Sequence, residues 1–368
     1  MAKVKIQGHA SGTGILTVTA PNTSTDRTIT LPDSTGTLLT SSDVPITTTD
    51  TNNIGVGSGA VDSITTGDDN VGVGTSSLGS VTTGLNNTAI GVNSLYTNST
   101  GGNNVGLGRQ ALYSNTTASN NTAVGYNSLL SNSTGANNVA VGYLSLDANT
   151  TGAQNIAVGA GGALGSCTTG TYNVAMGYSA LSSSTTAQKN VAIGADALAL
   201  TTTAGLNVAV GHAALYANTT GENNVAVGYY TLASNTTANN NVAMGYGALD
   251  TNTTGSNNTA LGTLALTSST TGFSNTAVGK NALYSITTGR DSVAVGDHAL
   301  SAVTTEGYNT AVGKGSLGSC TGYTNTAIGN NAGSSITTGD LNICIGYNAQ
   351  PTSDNIVKIA IRSIKTGS

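Results

Sequence analysis

The chain has 368 residues, of which 50 are glycine, 7 % are charged, one is phenylalanine and none is tryptophan, and its net charge is −5. So few bulky side chains exclude a conventional globular core, and so few charges exclude a solvated disordered chain. The acidic balance leaves no basic footprint for nucleic acid, and no apolar run approaches the roughly 20 residues that span a membrane.

Residues 1–50 carry three of the four prolines and no long-period repeat. The opening "MAKVKIQGHA" lacks the apolar stretch of a secretory signal, so synthesis in the cytoplasm is expected. Between 12 and 41 the chain alternates with period two, as in Thr17-Val18-Thr19 and Thr28-Ile29-Thr30-Leu31, and Pro, Asn and Gly turns divide it. That pattern predicts a small N-terminal β region, with Thr47–Asp50 as a polar linker.

From residue 51 to about 350 one unit recurs. Each unit contains an "AVG"-like triplet whose glycine serves as an anchor, and 18 anchors run from Gly57 to Gly346. Their spacing is 17 residues except for one step of 18 (Gly159 to Gly177) and one of 16 (Gly313 to Gly329). The residue before the anchor is Val, Ile, Leu or Met, and the third before it is Val, Ile or Thr, the set favoured in strands. Between them stands Ala or Gly, with Cys344 the exception. The fourth before the anchor is Asn except at Ser292, and the fourth after it is usually Leu. A turn rich in Thr, Asn and Gly follows, such as "NTTG" at 218–221.

This periodicity predicts an all-β chain folded as a parallel β-solenoid of about 18 coils of 17 residues, roughly 85 Å long at one strand spacing per coil. Two short strands and two turns per coil are expected. The prolines avoid the repeats, as a stacked ladder that needs every N–H requires. Charges avoid the five positions ending at the anchor, which predicts burial there. Asn138, Asn155, Asn173, Asn190, Asn207, Asn224, Asn241 and Asn258 should stand above one another as an amide ladder. The "VAV" strand is apolar on both faces, so one face lacks a cover within the chain. Another copy is the economical cover, most simply in a homotrimer. Residues 351–368, with "NIVKIAIRSI", are expected to cap the open end.

No catalytic, metal or cofactor site emerges. The "GVG" strings lack the lysine and the following helix of a phosphate loop. His9, His212 and His298 are far apart, the last two by about 24 Å along the stack. Asp291, Asp297, Glu306 and Asp340 are a loose acidic set weighed for calcium, and they read as solvated turn residues. Cys167, Cys320 and Cys344 are too scattered for a disulfide framework. Tyrosines cluster in the turns, and Tyr229 and Tyr230 form the densest spot, a candidate receptor contact for stacking on sugars.

The units "NNVAVGYLSL" (137–146) and "NNVAVGYYTL" (223–232) resemble the head repeats of trimeric autotransporter adhesins. That resemblance implies trimers of left-handed parallel β-rolls. The longer "ALYSNTTG"-type connection and the segment 12–41 resemble parts of bacteriophage tail-fibre proteins. Together they imply a structural fibre of a virion, joined to other virion or tail proteins through residues 1–50 and projecting toward a host cell-surface receptor. A bacterial surface adhesin would need a signal peptide and a membrane anchor, and neither is expected from this sequence. An ice-binding solenoid would want threonines at alternate positions of a flat strand, whereas here they are adjacent in a turn.

Overall fold

The computed structural model describes residues 52–351 and 355–360, together with the backbone of three earlier strands. The chain forms two compact units, residues 1–43 and 44–368. In the first, β1 (Lys3–Gln7) pairs antiparallel with β2 (Ile15–Thr19), Lys3 opposite Thr19. The alternating stretch from Thr28 to Leu31 lies outside the described residues.

The second unit is a parallel β-solenoid, and the described residues contain no helix. It opens with β3 (Ile46–Thr48), antiparallel to the first coil's strand β4 (Ile54–Val56). Thr47 and Thr48 therefore belong to a strand on the end of the stack rather than to a linker. From β4 to β21 (Ile343–Ile345) each coil contributes one three-residue strand, paired parallel and in register with the next. Ala209, Ala226 and Ala243 stand in file, flanked by the valines of their strands. The last strand, β22 (Val357–Ile359), pairs with β21 and puts Lys358 opposite Cys344. A lysine at that inward register discourages a further strand from adding to the open edge.

One strand per coil corrects the expectation of two. The residues around the recurrent Leu form a turn, because that Leu is left-handed: Leu215 has φ +53° and Leu232 φ +51°. Left-handed backbone costs a non-glycine residue about 1–2 kcal/mol. The cost is offset by burial, since both side chains are fully inaccessible and a buried Leu contributes roughly 1.5–3 kcal/mol. The anchor has a different need. Gly125 has φ +133°, and a Cβ on it would lie 2.5 Å from the carbonyl oxygen of Gly142, so neither the torsion nor the space admits a side chain.

The core is a thin column of the central residue of each strand (Ala in most, Gly55, Gly72, Gly106 and Cys344 in the others), the Leu, a small residue before it and a buried Asn. No aromatic ring belongs to it. The strand thus faces inward with its Ala and outward with its β-branched and aliphatic residues. This corrects the expectation that all five positions ending at the anchor are buried. The odd-coil lengths are absorbed in turns. The extra residue of the 18-residue coil falls between Gly159 and Leu164, and the 16-residue coil is shortened near Gly322, while both flanking strand pairs keep register.

Candidate functional site

The buried asparagines tie coil to coil. Asn224 Oδ1 accepts from the backbone N–H of Asn241 (3.0 Å), its Nδ2 donates to the Ala238 carbonyl (2.8 Å), and its own N–H donates to Asn207 Oδ1 (3.0 Å). Asn138, Asn155, Asn173, Asn190, Asn207, Asn241 and Asn258 make the same three bonds. Each donor and acceptor used is a group that the coil could not otherwise satisfy away from water. Ser292 supplies only part of this: its Oγ accepts from Asn309 N–H at 3.3 Å and donates to Arg290 carbonyl at 3.2 Å.

A second ladder went unread in the sequence, where its residues looked like turn asparagines. Asn98, Asn115, Asn132 and Asn149 are fully buried, and each Nδ2 from Asn115 onward donates to the preceding Oδ1 at 2.7–2.9 Å. Asn218, Asn235 and Asn252 repeat the arrangement. The signal was the Asn recurring seven residues after the anchor. A third row uses hydroxyls: Thr219, Thr236 and Thr253 each donate to the backbone carbonyl one coil on, at 3.0 Å. These threonines are staples whose hydroxyl hydrogens are already committed.

The outer surface carries an uncharged, largely aliphatic band, one of whose two columns is interrupted by Thr88, Thr122, Thr259, Thr276, Thr310 and Thr326. Ile54, Ile90, Leu107, Met176, Met244 and Ile328 are 41–49 % exposed, although they lie on strands whose inward Ala or Gly is buried. The band is two side chains wide and about 85 Å long.

Aromatic columns border it. His212, Tyr229 and Tyr246 stack at centroid distances of 5.3 and 5.8 Å, and Tyr230 meets Tyr229 edge-on at 4.5 Å. Tyr229 and Tyr230 remain 49 % and 40 % exposed, with the faces of Tyr229 turned toward its column neighbours. Tyr126 stacks on Tyr143 under the guanidinium of Arg109, and Arg290 lies between Phe273 and Tyr308.

Ionisable groups are dispersed. Among the described residues, no three His, Cys, Asp or Glu side chains gather as a metal site. Asp297 pairs with His298 (2.7 Å) and Lys314 (3.5 Å), and the hydrogen bond from His298 leads in holding its carboxyl below the ordinary range. His212 packs in its aromatic column, and His9 lies outside the described residues. Burial pushes the Cys167 thiol up to about 11, and those of Cys320 and Cys344 also upward, so all three are protonated and poorly nucleophilic at neutral pH. Among the described residues no helix is long and apolar enough to cross a membrane. No family model matches the chain, and no curated protein matches it.

Proposed function

We propose that the chain is a fibre subunit of a phage-type virion, a tail fibre that assembles as a homotrimer around its exposed aliphatic band. In this reading residues 1–50 attach to other virion or tail proteins, and the repeats project toward a host cell-surface receptor. Tyr229 and Tyr230, on the flank of the band, are the receptor contact that the reading favours. The observation that carries it is the band itself. Charges are absent from its positions in every coil although those positions are half-exposed in the single chain. A surface that avoids charge without being covered by its own chain suits a cover from outside. Identical coils at matched heights let three copies present the same residues to a closed axis. The rod is uniform over about 300 residues, a form good at spanning distance, and the distinct segment before it suits attachment.

The test is sedimentation of the purified chain. A trimer is expected. Replacing Val208, Val210, Val225 and Val227 by Lys should yield monomers with an unchanged β spectrum, because these side chains lie outside the chain's own core and buried like charges cost several kcal/mol each. A parent chain that sediments at the mass of one copy would overturn the reading.

A further inference from the structure

The position six before each anchor forms a column of side chains along one flank of the sheet. In three successive coils, whose strands pair in register, it holds Gln188, Gly205 and Glu222. The absent side chain at Gly205 leaves a notch of about 240 Å³ between its two neighbours. Its floor is backbone: a Cβ on Gly205 would stand 2.8 Å from the Gln188 carbonyl oxygen. The adjoining column supplies Lys189 and Leu206, both on left-handed backbone, and Leu206 is 51 % exposed. Two threonines, Thr186 and Thr203, complete the lining.

The notch therefore joins one aliphatic wall to an amide, two hydroxyls, an ammonium and a carboxylate. Lys189 and Glu222 form no ion pair among the described residues. Their opposite charges decide what fits between them. An anion would gain Lys189 but meet Glu222, a cation would do the reverse, and a zwitterion would pair with both only at the cost of desolvating two further charges. A neutral polyol satisfies both, donating hydroxyl hydrogens to Glu222 and accepting from Lys189. The exposed Leu206 offers an apolar rest for the C–H face of a ring. The volume is below the roughly 300–1,000 Å³ of sites for drug-sized ligands and suits one six-membered ring.

We propose that this notch binds a single neutral pyranose unit of a surface polysaccharide or glycan chain. The inference deepens the attachment reading by naming the receptor chemistry. Binding is measured on the isolated chain, so its failure leaves the trimeric fibre untouched, and failure of the fibre leaves the notch testable.

Saturation-transfer NMR with methyl α-glucoside, methyl α-mannoside and methyl β-galactoside, each titrated to millimolar concentration, should show saturable transfer to at least one of them. Glu222→Gln should weaken binding by about tenfold, the worth of a charge-assisted hydrogen bond. Leu206→Asn, which removes the apolar rest and is compatible with that residue's left-handed backbone, should weaken it at least as much. Glu306→Gln, an acid outside the notch, should leave it unchanged, and melting curves establish that each variant is folded. Absence of transfer from all three glycosides, or transfer that survives both notch variants, would overturn the proposal. So would dissociation of the native oligomer by Glu222→Gln, which would mean that a second copy fills the notch.

Discussion

Asn149 and Asn252 share a defect. Each is the last rung of its buried ladder, and each Oδ1 is inaccessible and without a hydrogen-bond partner. The next coil offers Cys167 in one case and Ser269 in the other, where the interior rungs meet another Asn. An unpaired buried acceptor costs about 1–3 kcal/mol. At Cys167 the repair is available on both sides, because Ser184 Oγ, one coil further, is also buried and unpaired. Cys167→Asn would donate to Asn149 and accept from Ser184, and is expected to stabilise the fold by about 1–2 kcal/mol. A melting temperature at or below that of the parent would show that the 18-residue coil does not hold this position in ladder register. Asp147 and Asp250 are half-buried, and desolvation leads in raising both carboxyl pKa values. The folded chain therefore binds these protons more tightly than the unfolded chain. Their contribution is fully present below the unfolded value and is lost as pH rises through the folded one. Asp147→Asn with Asp250→Asn should accordingly raise the melting temperature at pH 7 and leave it nearly unchanged at pH 3, and equal gains at both pH values would contradict the desolvation account.

At the scale of the element, three residues make each strand, and its hold on the stack lies in its amides. Val225 N–H donates to the Asn241 carbonyl at 2.8 Å. Val225→Pro removes that donor in mid-rod and leaves the Asn241 carbonyl without it, which should cost about 1–3 kcal/mol, read as a lower melting temperature in far-ultraviolet dichroism. A variant that melts like the parent would mean that the strand is not held by that ladder. The strand was legible in the sequence because its β-branched residue, its inward Ala and its anchor Gly recur with the full period. The absence of a second strand was not. Leu232 is an apolar residue at a regular spacing, which reads the same in a strand or a turn, and nothing in its chemistry announces φ +51°. Only the packed column, in which Leu232 must reach the inward alanines, selects that torsion. The same torsion decides which face of the strand is covered. The alternation of "VAV" showed two apolar faces, and the side on which the Leu lies was hidden until the turn was seen. The Asn98–Asn149 ladder was missed for a related reason: an Asn beside Thr and Gly has turn composition, and burial by stacking leaves composition unchanged.

For the whole molecule, the break in pattern does not coincide with the break in structure. Repeats begin near residue 51, but β3 at Ile46–Thr48 pairs with the first coil, and the second compact unit begins at Val44. A truncation test of the attachment reading should therefore start at Val44 and keep the end strand. Such a chain is expected to form the same oligomer by sedimentation and to fail to join the particle. Normal incorporation would place attachment in the repeats or near β22. Because each coil contacts only its neighbours, stability is a sum over interfaces, and damage in one coil should leave distant coils folded.

The constancy of register has a consequence for the gene. Duplicating or deleting 17 codons within a run of 17-residue coils joins two coils whose strands and inward residues match, although the second row of buried Asn is broken at Cys167, Thr201 and Ser269. Recombination between such similar stretches would then lengthen or shorten the rod by whole rungs of about 4.8 Å, without passing through a misfolded intermediate sequence. Reach would thereby vary independently of whatever the two ends recognise. The coils of 18 and 16 residues mark how much error this counting tolerates: one residue, taken up in a turn, with the strands on either side still in step.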